Sequence, residues 1–319
     1  MSTTPTPTPT ERLVLGTMVF GTLVDEAASF ALLDQFVDAG GRWLDTADCY
    51  SFWLSDTGYG GQSETVLGRW LAARPGMRDR VLISTKFGAE PVDAAEPSSG
   101  TGLSRDAIRA QLEGSLRRLG TDRVDLAWAH VEDRAVPVEE TADAMAELVE
   151  EGLALRIGAS NHPAWLVERA RRHAIGQGRT PWTALQHSFS YVHPRPFELP
   201  DGQGHRFGML TDEHLDLAAV EGLETWAYTP LLSGAYDNPA KPLPGAHGHP
   251  GTFRRLAALD KVAAELGATR GQVVLAWLAG STPTIRPILG GSKPDQLQAA
   301  LDAMRLELPD DLRALLDAA

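Results

Sequence analysis

Four side chains in the first half of the chain have the chemistry to move a proton: Asp45, Tyr50, Lys86 and His130. A tyrosine hydroxyl has an unperturbed pKa of about 10 and is a poor acid at neutral pH. A lysine ammonium a few ångströms away favours the phenolate, so we expect Lys86 to lower that pKa. A carboxylate beside the lysine keeps the lysine charged, and a histidine can hydrogen-bond the same reacting oxygen. These residue types predict general acid–base chemistry.

Other kinds of chemistry find less support in the sequence. The chain has no G-x-S-x-G segment to position a nucleophilic serine. A retaining glycosidase needs two carboxylates, and Asp45 alone ends a predicted strand. His247 and His249 form a lone pair in a Pro/Gly-rich loop, so we predict no metal site. Cys49 is the single cysteine, and we interpret it as a small buried side chain rather than a reactive thiol, in a protein of a reducing compartment.

The composition describes a globular chain that does not bind polyanions. Of its 319 residues, 43% are hydrophobic and 22% are charged, which allows a sizeable core. The net charge of −13 repels phosphate backbones and anionic membranes, so we predict no nucleic-acid and no membrane partner. The opening MSTTPTPTPT has no targeting signal, and we expect a disordered Thr/Pro tail over 1–10 before one domain over 11–319. We therefore expect a cytoplasmic protein.

Eight short apolar runs predict the strands that must position the four side chains. They cover residues 13–18, 42–46, 81–87, 124–130, 155–160, 183–188, 224–230 and 284–290. Their apolar character on both faces is typical of strands buried in a parallel sheet. Amphipathic segments with helical spacing lie between them, as over 104–120, 138–152 and 269–280. This alternation predicts an α/β fold, a single (β/α)8 TIM-type barrel with long loops at its C-terminal face; a doubly wound sheet is the alternative.

Polar or ionisable residues end six successive predicted strands: Asp45, Lys86, His130, Ser160 with Asn161, Gln186 and Tyr228. In a barrel of this type, active sites form at the carboxyl ends of the strands. A single polar residue at a strand end is commonly no more than a side chain that contacts solvent. Six of them on one rim predict a shared site.

The chain resembles the aldo-keto reductases over nearly its whole length. The matching segments are LGTMVFG (15–21), DTADCY (45–50), GGQSETVLG (60–68), STKFG (84–88), AHVED (129–133), GASN (158–161), ALQ (184–186), AYTPLLSG (227–234) and GGSKPDQL (290–297). The resemblance implies a metal-free barrel that binds NADPH and reduces an aldehyde or ketone by hydride transfer. It also implies that Tyr50 is the proton donor, that Lys86 and Asp45 tune it, and that His130 orients the carbonyl.

The same resemblance assigns residues to the cofactor. Those that hold the nicotinamide or stack on it match Ser160, Asn161, Gln186 and Tyr228. Those near its ribose, pyrophosphate and adenosine match Gly16, Met18, Thr229, Leu231, Ser233, Gly234, Gly290, Ser292, Lys293 and Gln296. Ser292 and Lys293 can meet a 2′-phosphate before a helix N-terminus, so we expect NADP(H) rather than NAD(H). Ala299 and Ala300 replace polar adenine contacts of relatives, so we expect weakened affinity.

An insertion over 51–59 sets this chain apart from the family pattern. It adds a second tyrosine, Tyr59; we prefer Tyr50 as the acid because its distance from Asp45 matches the family. We expect Phe52 and Trp53 to line the substrate pocket or to pack the loop onto the barrel.

The substrate itself is not readable from the sequence. Tyr191 in the long loop over 188–214 is a further candidate for the substrate pocket, and the polar residues of that loop suit a keto-sugar or another hydroxylated carbonyl compound. The alternatives to a reductase are a nucleotide-sensing regulatory subunit and an NADP-dependent alcohol or sugar dehydrogenase. The direction of reaction and the oligomeric state stay open.

Overall fold

The computed structural model describes residues 8–198 and 205–319. Its strands are β1 (Val14–Gly16), β2 (Trp43–Asp45), β3 (Leu82–Phe87), β4 (Pro91–Asp93), β5 (Glu96–Gly100), β6 (Leu126–Ala129), β7 (Ile157–Ser160), β8 (Ala184–Ser188), β9 (Glu224–Tyr228) and β10 (Ile285–Leu289). Eight of them close into a parallel barrel in the order β1-β2-β3-β6-β7-β8-β9-β10. The predicted (β/α)8 barrel is therefore confirmed, and each predicted apolar run contains one barrel strand.

Helices surround this barrel. They are α1 (Glu26–Asp38), α2 (Gln62–Ala72), α3 (Arg105–Leu119), α4 (Val138–Glu150), α5 (Ala164–Gly176), α6 (Asp212–Glu221), α7 (Pro250–Leu266), α8 (Arg270–Ala279), α9 (Pro294–Ala303) and α10 (Asp310–Asp317). Local sequence sets their ends: Ser104 accepts from the Ala107 N–H to cap α3, and Gly120 ends it in the left-handed region. Thr269 and Gln272 form a capping box at α8. No described helix is long and apolar enough to cross a membrane.

Three tryptophans fill the interior of the barrel. The ring of Trp226 meets that of Trp43 at 4.9 Å and that of Trp128 at 5.2 Å between centroids, both edge to face. A Cβ at Gly158 on the neighbouring strand would lie 2.7 Å from the Trp128 ring, so this position admits no side chain. Because side chains alternate along a strand, residues two positions after these also point inward, nearer the mouth.

The structure differs from the sequence predictions at two places outside the barrel. β4 and β5 form a two-stranded antiparallel sheet between β3 and α3; the sequence analysis missed it because this short segment lacks apolar alternation. The predicted tail over 1–10 lies outside the described residues as far as residue 7. Thr10 is buried and begins a short 3-10 helix over Thr10–Arg12, so regular structure starts one residue before the predicted boundary.

Candidate active site

The polar residues at the strand ends share the inward face with the buried tryptophans. Each follows an inward residue by two positions: Asp45 after Trp43, Lys86 after Ser84, His130 after Trp128, Ser160 after Gly158, Gln186 after Ala184 and Tyr228 after Trp226. The parallel register sets Asp45 opposite both Gly16 and Ser84. The side chains therefore meet at the carboxyl ends of the strands, as the sequence predicted.

A buried ion pair lies at the centre of this rim. Lys86 Nζ is 2.5 Å from Asp45 Oδ2, and the two side chains are 1% and 2% exposed. The other carboxylate oxygen accepts hydrogen bonds from Ser84 Oγ at 2.6 Å and from Gln186 Nε2 at 3.1 Å. Burial lowers the pKa of Lys86, and the negative charge of Asp45 opposes that effect. These bonds hold the ammonium in one position.

Tyr50 reaches back over the barrel mouth to this ion pair. Lys86 Nζ donates to the Tyr50 hydroxyl at 2.6 Å and to the Thr46 carbonyl at 2.8 Å. Tyr59, in contrast, is 40% exposed, and its hydroxyl lies 3.5 Å from the Val92 carbonyl. The structure therefore brings Tyr50, and not Tyr59, to the lysine.

The predicted net lowering of the Tyr50 pKa is wrong. Burial raises the pKa of Tyr50 well above 10, and the charge of Asp45 raises it further. The physical reason is that the hydroxyl is removed from water, while the lysine charge is already balanced by Asp45. The phenol therefore keeps its proton at neutral pH, which is the form that a general acid needs.

His130 lies beside Tyr50, with 6.0 Å between the ring centroids. Burial lowers the pKa of His130 well below 6.5, and the Lys86 charge lowers it further, so the imidazole is neutral. Its Nδ1 lies 3.4 Å from Cys49 Sγ, and burial raises the pKa of the Cys49 thiol. We assign the hydrogen of this bond to the sulfur, which leaves the ring proton on Nε2 as a donor for a substrate oxygen.

Hydrogen bonds join the strand ends that the sequence assigned to the nicotinamide. Asn161 Nδ2 donates to the His130 carbonyl at 2.9 Å and to Ser160 Oγ at 3.1 Å, and the Tyr228 hydroxyl donates to Asn161 Oδ1 at 2.7 Å. Asn161 has a left-handed backbone, with φ of 59°, which turns the chain sharply after β7. Gln186 is connected to this site by the hydrogen bond that its Nε2 donates to Asp45.

The segment after β9 contains several residues in the left-handed region. Thr229, Ser233 and Gly234 have φ of 55°, 56° and 93°, and runs of this kind can direct successive N–H groups into one concavity. Lys241 Nζ donates to the Ser233 carbonyl at 2.7 Å and brings a positive charge to the loop. Sequence reasoning missed Lys241 because it lies beyond the matched segment, in a stretch without periodicity. The N–H groups of Leu232 and Gly234 donate to backbone carbonyls within the loop, so the charge of Lys241 is the feature here that favours an anion.

The remaining predicted cofactor residues lie around the same rim. Exposed positions are Met18, Thr229, Gly290, Ser292, Lys293 and Gln296, whereas Gly16 is buried at the end of β1 and Leu231 is half-buried. Lys293 immediately precedes the first residue of α9, where the helix N-terminus adds favourable potential for an anion. Ala300 is buried and Ala299 is half-buried, so neither presents a polar group. Ser292, Lys293 and Gln296 are therefore accessible to a ligand beside this helix N-terminus.

The three residues predicted for the substrate pocket lie in two different parts of the structure. Phe52 and Trp53 lie in a short 3-10 helix just after Tyr50, their rings are 5.1 Å apart, and Trp53 is half exposed. Tyr191 is fully buried, and its hydroxyl donates to the Leu316 carbonyl at 2.9 Å. The loop after β8 folds its first residues into the core under α10, so the prediction that Tyr191 contacts substrate is wrong.

An aromatic cluster above the mouth was not predicted as a unit. The guanidinium carbon of Arg134 lies 5.1 Å from the Trp165 ring centre and 5.7 Å from that of Phe207. The three residues come from the loop after β6, the start of α5 and the loop after β8. No local sequence signal marks them, because only the closure of the barrel brings these segments together.

Known proteins with similar sequences are oxidoreductases. The family model for the aldo/keto reductase family matches residues 12–319. YrpG, an uncharacterised oxidoreductase of Bacillus subtilis, is 30% identical over 96% of this chain and 91% of its own length. Norsolorinic acid reductase of Emericella nidulans is 31% identical over 94% and 75%, respectively. The NADP(+) aryl-alcohol dehydrogenase of Phanerodontia chrysosporium is 29% identical over 92% and 76%.

Proposed function

The chain belongs to the aldo/keto reductase family of oxidoreductases, and we propose on this premise that it uses NADPH to reduce an aldehyde or ketone, with Tyr50 as the general acid. The observation that carries the proposal is the position of Lys86 Nζ, 2.5 Å from Asp45 Oδ2 and 2.6 Å from the Tyr50 hydroxyl. A half-buried tyrosine that keeps its proton and touches a fixed ammonium suits proton donation to a carbonyl oxygen.

Tyr50, Lys86 and His130 divide the work at the substrate oxygen. Bound NADPH would supply the hydride. Tyr50 donates its phenolic proton to the oxygen as negative charge develops there, and the product is an alcohol. The ammonium of Lys86 stabilises the phenolate that remains on Tyr50. The neutral ring of His130 donates from Nε2 to the same oxygen and orients the carbonyl.

The preference for NADPH is proposed from charge along the rim. Lys293 lies at the N-terminus of α9 and Lys241 lies at the loop after β9, so two cations are available to the phosphates of an extended nucleotide. One relative is named for NADP(+). We expect the Lys293→Ala variant to raise KM for NADPH more than KM for NADH, because the extra phosphate of NADPH loses its charge partner.

The substrate is proposed to be an aromatic aldehyde or ketone. Trp53 follows Tyr50 in the loop after β2, and the cluster of Arg134, Trp165 and Phe207 lies in segments that follow the carboxyl ends of β6, β7 and β8. A relative named for aryl alcohols supports this class. Hydroxylated carbonyl compounds such as keto-sugars form the competing class in the test below.

The test is cofactor consumption by the purified protein with NADPH or NADH against aromatic aldehydes, ketones and keto-sugars. Tyr50→Phe is the test variant and Tyr59→Phe the matched control, since both replace a tyrosine of the same loop. We expect the Tyr50→Phe variant to lose at least about 100-fold in kcat, because a general acid contributes 10²–10⁴-fold, while it still quenches its tryptophans on binding NADPH. Full activity in Tyr50→Phe would refute the proposal, and tight NADPH binding without any turnover would support a sensor instead.

A further inference from the structure

Three metal-capable side chains meet on the loop side of the candidate active site. One ligand atom from each of Asp48, Cys49 and His130 lies within 4.8 Å of the other two. We propose that these three residues bind a soft divalent cation, Zn²⁺ or Cd²⁺, at the edge of the active site. The sequence analysis predicted no metal site and missed this group of residues, because His130 is 81 residues from Cys49 and no ligand spacing connects them.

The distances suit a tetrahedral cation. With a Zn–S bond of about 2.3 Å and a Zn–N bond of about 2.05 Å, a tetrahedral angle sets sulfur and nitrogen about 3.6 Å apart. Cys49 Sγ and His130 Nδ1 are already 3.4 Å apart. Because the Asp48 ligand atom lies within 4.8 Å of the other two, it needs to approach by at most about 1.4 Å, which a side-chain torsion can supply. Three protein ligands leave the fourth position of the cation open to water.

The carboxylate of Asp48 is an independent sign of a cation. Its side chain is 3% exposed, yet among the described residues neither carboxylate oxygen has a hydrogen-bond partner. Buried carboxylates are ordinarily paired or coordinate a metal, and a bound cation would supply the missing partner.

The surrounding charges also leave room for a cation. Arg118 and Lys86 are the cations whose fields act on Asp48 and Cys49. Arg118 pairs with Glu64 at 2.6 Å, and Lys86 pairs with Asp45 at 2.5 Å. Each of these cations is thus largely balanced by its own carboxylate, and neither forms an ion pair with Asp48 among the described residues.

Binding exchanges protons for the metal and involves no redox change. The Cys49 thiol releases its proton to solvent and the thiolate sulfur bonds the cation, while His130 gives the Nδ1 lone pair that otherwise accepts from the thiol. Coordination at Nδ1 keeps the proton on Nε2, but the cation, and no longer the substrate oxygen, then sets the orientation of the His130 ring. We expect the bound cation to inhibit turnover; this consequence, unlike the binding itself, rests on the proposed function.

The test uses Co²⁺ as a spectroscopic probe on the full-length, chelator-treated protein. Cys49 is the only cysteine, so a thiolate-to-Co²⁺ charge-transfer band in the near ultraviolet must come from this site. We expect the band to saturate at one equivalent and to vanish on addition of Zn²⁺. Cys49→Ala should abolish it, and Asp48→Asn should raise the apparent Kd at least tenfold. Asp56→Asn, an exposed aspartate of the same loop, should leave it unchanged.

Two results would overturn the site: no band in the wild type, or an unchanged Kd in a folded Asp48→Asn variant, with folding checked by thermal melting. Zn²⁺ should also inhibit the wild type, and EDTA should restore activity. A Co²⁺ band in a protein that turns over no carbonyl compound would support the site and refute the proposed function. Turnover of a carbonyl compound without any Co²⁺ band would refute the site and support the proposed function.

Discussion

The buried pair of Lys86 and Asp45 can be tested by removing its members singly and together. Lys86→Met leaves the carboxylate with two neutral donors, Ser84 and Gln186. Asp45→Asn leaves the ammonium with neutral partners alone. We expect each single variant to lower the free energy of unfolding by about 3–5 kcal/mol, because breaking a buried ion pair leaves an uncompensated charge out of water.

The double variant Asp45→Asn with Lys86→Met leaves no charge behind. We expect it to be more stable than either single variant, with a coupling free energy of about 2–3 kcal/mol between the two sites. The control is Arg69→Met, which breaks an ion pair with Glu26 whose side chains are 64% and 44% exposed. That loss should be below about 1 kcal/mol, because exposed pairs contribute little.

Urea unfolding followed by tryptophan fluorescence measures these free energies, since Trp128 and Trp226 are buried in the barrel. Turnover is measured on the same samples. All three variants should be inactive, the double variant included, because both Lys86 and Asp45 act on Tyr50. Additive losses in the double variant would refute the claim that the unpaired charge sets the cost, and recovered turnover would refute the proposed role of the pair.

Three further predictions concern stability away from the reacting atoms. Burial lowers the pKa of His162 to about 4, so the unfolded chain binds a proton that the folded chain does not bind until lower pH. The free energy of unfolding should therefore fall by roughly 3 kcal/mol as the pH falls from about 6.5 to 4. If urea unfolding shows the same pH dependence in His162→Gln as in the wild type, His162 is not the cause. Gly68→Ala should lower Tm by several degrees, since its Cβ would lie 2.1 Å from the Arg118 carbonyl; an unchanged Tm would refute that contact. Tyr191→Phe should lose about 1 kcal/mol with its bond to the Leu316 carbonyl, and a changed substrate KM would contradict its place in the core.

The barrel and its rim could be predicted because one physical rule sets both. Strands buried on two faces appear as apolar runs, and closure into a barrel puts their carboxyl ends together. Alternation then carries the inward face from Trp43 to Asp45 and from Trp128 to His130. The strand-end residues were therefore readable from periodicity, without any knowledge of the loops.

The parts that failed depend on tertiary contacts that periodicity does not encode. Tyr191 looked like loop surface, but its loop folds inward and its hydroxyl finds a carbonyl in α10. Lys241 joins the loop after β9 only through a bond to Ser233. Asp48 and Cys49 form a candidate metal site only because the barrel brings His130 beside them. Each of these contacts joins segments that no local pattern relates.

The pKa of Tyr50 could not be predicted from the attraction of Lys86 alone, because burial and the charge of Asp45 both raise it. Desolvation raises the pKa of Tyr50 and lowers that of Lys86. The proton therefore stays on the phenol until a base stronger than the phenolate is present. A developing alkoxide is such a base. The low dielectric that makes the Lys86–Asp45 pair costly also strengthens the attraction of Lys86 for the phenolate left behind. Burial therefore keeps the proton on Tyr50 before reaction and, with Lys86, favours its transfer when the substrate oxygen becomes charged.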